Sequence, residues 1–240
     1  MINQEAFDRF SRRPLMWFLT TVVILCAFLV AQFTTVDHRS ASQTEFFGVI
    51  DNLLIGILVS FVFYFLVVHL PEKQRRNRLR RNFLKFYLSL KEGLIWEIIF
   101  SSQSAGRRDL NATQEQVDLL MDVKAFRNCF SGGRESHEGW YAFMNHMTQD
   151  SPQFRDIVLL LSQLRMQVEY ILLQDVFESL ELMNFFSWLR DHLLRLERTD
   201  AADWEKSPLI GFLYQLLSGW DPVSGYRDFD YIESEASKII

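Results

Sequence analysis

The sequence has few cysteines and none of the short motifs that mark the common enzyme classes. Only Cys26 and Cys129 occur among the 240 residues, which gives no disulfide framework and is typical of a reducing compartment. There is no G-x-x-x-x-G-K-[ST] phosphate loop, no G-x-G-x-x-G turn, no H-E-x-x-H zinc motif and no G-x-S-x-G nucleophile elbow. The sequence therefore predicts neither catalytic residues nor a cofactor, and we expect a protein that is not an enzyme.

Clustered metal ligands are also scarce. The five histidines are scattered along the chain, and only His137 and His146 share a region, beside Glu138. A metal site needs several imidazole, thiolate or carboxylate ligands at a suitable spacing, and the two cysteines lie too far apart to supply thiolates together. Ordinary surface histidines are the favoured interpretation, so no metal site is predicted.

Charge is absent from two long stretches of the chain. No Asp, Glu, Lys or Arg occurs in residues 15–36, and Asp51 is the only one in residues 46–70. A helix needs roughly 20 mostly apolar residues to cross the bilayer, and its backbone must be hydrogen-bonded within the segment. The predicted segments are a cytoplasmic N-terminus at 1–13, a transmembrane helix at 14–36, a short external loop at 37–45 and a second transmembrane helix at 46–70.

The first apolar stretch shares one feature with a cleaved signal peptide, since three arginines precede it. Its length and the lack of an A-x-A-like site after it favour a retained transmembrane helix. Leu25, directly before Cys26, also argues against lipoprotein cleavage. Even cleavage of this stretch would leave the second transmembrane helix in place.

The basic residues that flank the apolar stretches predict the orientation. The loop between the stretches holds only Arg39, whereas residues 71–91 carry eight basic residues. Cytoplasmic flanks are enriched in Lys and Arg. We therefore expect a multi-pass protein with both termini in the cytoplasm.

The net charge of −5 hides an uneven distribution. Residues 71–91 carry eight basic residues against Glu72 alone, whereas residues 92–240 carry 13 basic and 24 acidic residues. Each basic residue near an anionic membrane surface contributes about 1 kcal/mol of binding. The acidic remainder is expected to stand away from that surface and to bind no nucleic acid directly. The membrane-surface residues are predicted to be Arg75, Arg76, Arg78, Arg80 and Arg81.

The rest of the chain follows helical periodicity, and no strand-like alternation is evident. Pro71 predicts a kink or a fresh helix start, followed by a basic juxtamembrane helix at 71–100 with an apolar stripe. We predict an all-α fold in which two transmembrane helices precede a cytoplasmic helical domain at 101–240, a bundle of about five helices. Its expected helices are 113–130, 139–148, 152–198 with a possible break near 174–175, 207–218 and part of the acidic tail.

Small or polar residues recur every four positions along the second apolar stretch, as Gly48, Asn52, Gly56 and Ser60. Helices associate in lipid through close backbone approach and hydrogen bonds, because no hydrophobic drive acts between them there. This stripe is compatible with packing against the first transmembrane helix and with self-association of several chains. Both interpretations stay open.

Asp51 lies beside this stripe, one turn inside the predicted outer surface. A carboxylate within the bilayer is costly and usually faces a protein interior or water. It would then line a pore or pair with Arg39. The favoured alternative is that its side chain reaches the headgroups at the helix end.

The run from Phe63 to Lys73 (FYFLVVHLPEK), with the short two-pass N-terminus, the basic helix and the helical domain, resembles a class of bacterial membrane proteins. That class includes the two-pass transmembrane effectors of retron anti-phage systems. The resemblance implies an inner-membrane effector that is kept silent by a complex of a reverse transcriptase and its DNA–RNA product, and that damages the membrane on infection. It implies no catalytic residues.

Two functions follow from these observations. The first is a membrane-acting effector that self-associates through the small-residue stripe and receives its trigger through the cytoplasmic domain. The second is a membrane-anchored scaffold or adaptor, whose working surface is the leucine-rich region 152–198 and which recruits a cytoplasmic partner.

Overall fold

A computed structural model describes the middle and the C-terminal part of the chain. The described residues are 20, 22–23, 41–132, 135, 137–147, 151–174, 176–177, 179–197 and 207–239. For residues 41–47, 51 and 207 this description covers the backbone only. The chain divides into two units, Met1–Arg75 and Arg76–Ile240.

Helix α1 spans Ala41–Tyr64 and forms most of the described part of the first unit. It begins within the predicted external loop 37–45, so residues 41–45 are helical, as alanine, glutamine and glutamate there favour. The external position of this segment stays a prediction. The predicted N-terminus 1–13 lies outside the described residues. So does the predicted transmembrane helix 14–36, apart from three of its residues.

The second apolar stretch is confirmed as a helix that is long and apolar enough to cross a membrane. The helical run Gly48–Ser104 contains an 18-residue window with a mean hydropathy of 2.6, and none of that window is buried among the described residues. It is the one such candidate in the described part of the chain, so the crossing of the membrane by two helices stays a prediction.

The helix changes its winding just before Pro71. Residues Phe65–His69 form a π-helical turn in which the Leu70 N–H donates to the Phe65 carbonyl, and α-helix α2, Leu70–Ser104, follows. Proline has no N–H to donate to the preceding turn, and π-turns are a recognised way in which a helix absorbs a change in its hydrogen-bond ladder. The chain therefore stays helical through Pro71, so the fresh helix start is not observed and the predicted disturbance takes the form of this π-helical turn.

The second unit is a helical bundle with a small hairpin. After α2, seven α-helices are described up to residue 239, where about five were predicted for residues 101–240. After α2 the elements are α3 Gln114–Leu120, α4 Val123–Phe130, α5 Gly139–Met147, α6 Pro152–Leu173, α7 Leu180–Glu197, α8 Ser207–Ser218, β1 Trp220–Asp221, β2 Gly225–Tyr226 and α9 Tyr231–Ser237.

Side-chain caps fix several of these boundaries. Thr113 accepts a hydrogen bond from the Gln116 N–H at 3.3 Å and opens α3, as its capping pattern predicted. Asp122 accepts from the Ala125 N–H at 2.9 Å and opens α4, which divides the predicted single helix 113–130. The prediction missed this second cap, because Asp122 lies inside an otherwise continuous helical pattern.

The long pattern at 152–198 also forms two helices. Ser151 accepts from the Phe154 N–H at 3.2 Å at the start of α6, and α6 ends at Leu173. Helix α7 begins at Leu180 and packs against α6. The predicted break near residues 174–175 is thereby confirmed.

The tail holds a feature that the sequence did not reveal, an antiparallel hairpin. Trp220 pairs with Tyr226 and Asp221 with Gly225. The Asp221 carboxylate accepts from the backbone N–H groups of Val223 and Ser224 within the turn, and Gly225 adopts a φ of +78°, which glycine tolerates readily. Strands of two residues are too short to show alternation. The expected partial helix in the tail is confirmed by α9.

The core of the second unit is built around one face of α2. Phe83, Tyr87, Leu90, Leu94 and Ile98 are all buried, as the apolar stripe of the predicted juxtamembrane helix required. The predicted end of that helix at residue 100 was four residues too early, since α2 continues to Ser104.

Candidate functional site

The small-residue stripe lies along an open groove on α1. Asn52, Gly56 and Ser60 line a groove of about 550 Å³. The other residues that line it are Leu53, Ile57, Phe61 and Tyr64. A Cβ atom placed on Gly48 or Gly56 would meet nothing within 4 Å among the described residues. Among the described residues, nothing packs against Gly48 or Gly56.

Polar groups within this groove differ in how they are satisfied. The Ser60 hydroxyl donates to the Gly56 carbonyl at 2.8 Å, so its proton is used inside the helix. The side chain of Asn52 is exposed. An amide exposed to lipid gains from a hydrogen bond across a helix pair. Asp51 lies in α1, but its side chain is outside the described part, so both interpretations of it remain predictions.

The arginines at the start of α2 differ in exposure and in their hydrogen-bond partners, although their sequence suggests one basic surface. Arg75 forms a two-pronged pair with Glu72, with nitrogen–oxygen distances of 3.0 and 3.1 Å. Arg80 is half-buried, and its guanidinium donates to the Ser237 carbonyl at 3.4 Å. Arg76 is half-buried, whereas Arg78 and Arg81 are exposed. The exposed arginines fit the predicted membrane-surface role best.

Lys91 corrects the interpretation of residues 71–91 as a basic surface. Its side chain is 2% exposed, and its Nζ lies 2.8 Å from Oδ2 of Asp230, which is equally buried. The Tyr87 hydroxyl donates to the same Asp230 oxygen at 2.7 Å. Lys91 therefore belongs to the core of the second unit and cannot contact lipid headgroups in this structure.

Asp230 joins this buried network to α9. Its Oδ1 accepts a hydrogen bond from the Glu233 N–H at 3.2 Å and caps the helix. Its Oδ2 accepts a hydrogen bond from the Tyr87 hydroxyl and forms an ion pair with the Lys91 ammonium. Burial, followed by the charge of Asp230, raises the pKa of Tyr87 well above its usual value, so the phenol stays a neutral donor. The sequence held a signal for the burial of Lys91, which lies four residues after Tyr87 and therefore on the apolar face of α2.

A second cavity, of about 560 Å³, lies beside Arg107. Arg107 is 6% exposed, and its NH2 group lies 2.8 Å from both an Asp109 oxygen and the Cys129 carbonyl. Hydrogen bonding from Arg107 lowers the pKa of Asp109. Burial raises the pKa of Cys129, which favours the thiol over the reactive thiolate. This cluster ties the loop after α2 to α4.

Three possible metal ligands also lie near this cavity. Donor atoms of Glu135, His137 and Glu138 lie within 4.8 Å of one another, and all three residues are exposed. His137 Nε2 lies 3.4 Å from a Glu135 oxygen. His146, the other histidine that the sequence placed in this region, instead lies 3.4 Å from the Gln153 amide oxygen. Exposed groups that pair with each other are typical of an ordinary surface.

Comparison with known protein families, with curated proteins and with solved structures finds no match to this chain.

Proposed function

We propose that the protein is an effector of the bacterial inner membrane, of the antiviral type, that perturbs the bilayer when it is triggered through residues 101–240. One observation carries this proposal: an apolar helix, unburied among the described residues, presents a groove lined by Asn52, Gly56 and Ser60. An unburied helix of this composition is stable only in an apolar solvent.

In the proposed mechanism several chains associate through the groove. Gly56 permits close backbone approach, and the Asn52 amide supplies a hydrogen bond between helices, worth about 0.6–2 kcal/mol in lipid. Assembled helices would place Asp51 at a protein interior, where a carboxylate in the bilayer is tolerated. The exposed Arg78 and Arg81 would hold anionic headgroups.

The trigger in this proposal is the release of a cytoplasmic partner. Following the resemblance to retron effectors, that partner is a complex of a reverse transcriptase and its DNA–RNA product. The acidic second unit would bind the protein component, since its charge disfavours direct contact with phosphate backbones.

The experiment is to record membrane potential and viability after induced expression of the full chain. Rapid depolarisation is expected for the full chain and not for a chain lacking residues 1–70. Gly56→Leu fills the groove and is expected to weaken self-association at least about tenfold, equivalent to about 1.4 kcal/mol, and to abolish depolarisation. Val59→Leu adds bulk outside the groove and serves as the matched control. Unchanged oligomers and unchanged toxicity in Gly56→Leu would refute the role of the groove.

A membrane-anchored adaptor is the second candidate, and the outer face of α6 favours it. Leu159, Met166, Tyr170 and Leu173 recur at helical spacing on that face and are about half exposed or more. An apolar face of this kind is typical of a partner-binding surface. The two candidates differ when residues 1–70 are replaced by unrelated transmembrane helices. An adaptor keeps its effect on viability after this replacement, and an effector loses it.

A further inference from the structure

The segment after the hairpin, residues 229–239, contacts the middle of α2 at Arg80, Tyr87 and Lys91. Ile232, Ala236 and Ile239 are buried within the core of the second unit. The ring of Tyr231 lies edge-on to Phe185 of α7, with centroids 4.8 Å apart. We call this segment the α9 strap.

The strap is held by charge as well as by apolar contact. It carries Asp230, Glu233 and Glu235 against Lys238 alone, so it is acidic. The Asp230 carboxylate receives the Lys91 ammonium at 2.8 Å, and the Ser237 carbonyl accepts from Arg80 at 3.4 Å. Two cations of the basic run 71–91 are therefore occupied by the strap.

These contacts put the strap in competition with an anionic lipid surface. Lys91 and Arg80 are attracted to carboxylate and carbonyl oxygens here, and phosphate oxygens of lipid headgroups offer the same chemistry. The strap also holds the fully buried Tyr87 through Asp230, whereas Phe83 on the same face of α2 packs against Phe186 of α7. Uncovered, this stretch would be an amphipathic helix with basic and aromatic side chains, the composition of helices that bind at membrane interfaces.

The strap is small enough to detach as a unit. Helix α9 has only seven residues, and an isolated helix of that length is unstable in water. The residues before it have anchors of their own, since Asp228 pairs with Lys124 and Arg127 and the Arg227 N–H donates to the Gly219 carbonyl. The contact that detachment would break here is that of the Arg227 guanidinium with the Tyr231 ring, 4.5 Å from its centroid. Detachment from residue 229 onward therefore leaves the hairpin in place.

We propose that the α9 strap is an autoinhibitory element that keeps Arg80, Tyr87 and Lys91 of α2 from binding anionic lipid headgroups. Its release exposes these residues. The lipid-binding half of the inference rests on the proposed membrane location, whereas detachment of the strap does not.

The test is hydrogen exchange of the full chain, in detergent and in nanodiscs with or without phosphatidylglycerol. Asp230→Asn removes the charge that holds Lys91 and should raise exchange of residues 231–237 by on the order of tenfold or more, while α6 stays protected. Asp228→Asn makes the same change at an exposed position nearby and should leave α9 unchanged. In the Asp230→Asn protein, phosphatidylglycerol should protect residues 80–91, and a neutral lipid should not.

Two results would overturn the inference. One is exchange of α6 rising together with α9, which would make the strap part of a single cooperative core. The other is equal protection of residues 80–91 in anionic and neutral nanodiscs. Because Asp230→Asn leaves a buried lysine unpaired and can unfold the unit, a chain without residues 229–240 repeats the lipid measurement. The double substitution Lys91→Met and Asp230→Leu replaces both charges with apolar side chains, which a buried site tolerates. In this protein α9 should stay protected from hydrogen exchange, and phosphatidylglycerol should not change the exchange of residues 80–91.

Failure of the proposed function gives a different signature. A chain that cannot be reconstituted in nanodiscs contradicts the membrane location. The detergent measurement still decides whether the strap detaches on its own.

Discussion

At the scale of single residues, Asp230 combines three separate contacts. It neutralises Lys91, accepts from Tyr87 and caps α9, all while almost fully buried. Breaking a buried pair by removing one partner is strongly destabilising, because it leaves an uncompensated charge in a medium of low polarity. An intact buried pair, by contrast, adds little net stability, because desolvation of the two charges offsets their attraction. The network therefore fixes the position of the strap more than it raises the free energy of unfolding.

Tyr87→Phe tests the hydroxyl in this network. At neutral pH it should lower the free energy of unfolding by about 1.5–3 kcal/mol, since it removes a hydrogen bond to a charged acceptor. Burial raises the pKa of Tyr87 in the folded state, so its contribution is complete below about pH 10 and declines as the pH rises above that value, where the unfolded chain releases the proton.

Denaturant unfolding of the full chain in detergent between pH 7 and 11 measures both effects. The difference between the wild-type protein and Tyr87→Phe should shrink above pH 10. Tyr141→Phe alters an exposed tyrosine and serves as the control. A difference that stays constant across this range would contradict the assignment of the pH effect to Tyr87.

At the scale of elements, local signals predicted most boundaries of the second unit and long-range contacts set the rest. The caps at Thr113 and Ser151 and the apolar stripe of α2 follow from the sequence, because each depends on residues a few positions apart. Burial of Lys91 depends on Asp230, in a part of the chain that no local pattern connects to it. The same reason hid the contact of Arg80 with Ser237.

Ser151→Ala tests the cap of α6. The Ser151 hydroxyl satisfies the Phe154 N–H in a buried setting, so its loss should cost about 1 kcal/mol of unfolding free energy. Ser162→Ala makes the same change inside α6, where the hydroxyl only bonds back to the Leu159 carbonyl and its loss should be nearly neutral. Equal effects of the two changes, measured by denaturant unfolding, would contradict a capping role.

At the scale of the whole molecule, the sequence predicted the residues of the candidate site but not which helix packs against them. The sequence predicts a stripe from Gly48 to Ser60; three of its four residues, Asn52, Gly56 and Ser60, line a groove on α1, and its role in helix packing stays a prediction. Which helix fills the groove depends on contacts outside the described residues, so one sequence cannot decide between the first apolar stretch and a second chain. Likewise, the excess of acidic residues in the second unit predicted that they face solvent. It did not predict that an acidic segment, the α9 strap, packs on α2.

Alkaline phosphatase fusions test the predicted orientation, because the enzyme is active only outside the inner membrane. A fusion after residue 240 should be inactive, and an insertion after residue 38 should be active, as the distribution of basic residues predicts. Fusion of a cytoplasmically fluorescent protein at residue 240 is the complementary control. Phosphatase activity at residue 240 would mean an odd number of transmembrane helices.

The separation of Tyr87 from Asp230 also has a consequence for biosynthesis. The two residues are 143 positions apart, and a ribosome adds about 5–20 residues per second, so Asp230 is made roughly 7–30 s after Tyr87. During that interval Lys91 has no buried partner, and the aromatic and basic face of α2 is open to whatever surface the nascent chain meets. The second unit can complete its core only after synthesis has reached the strap, so α2 passes through an uncovered state each time the protein is made.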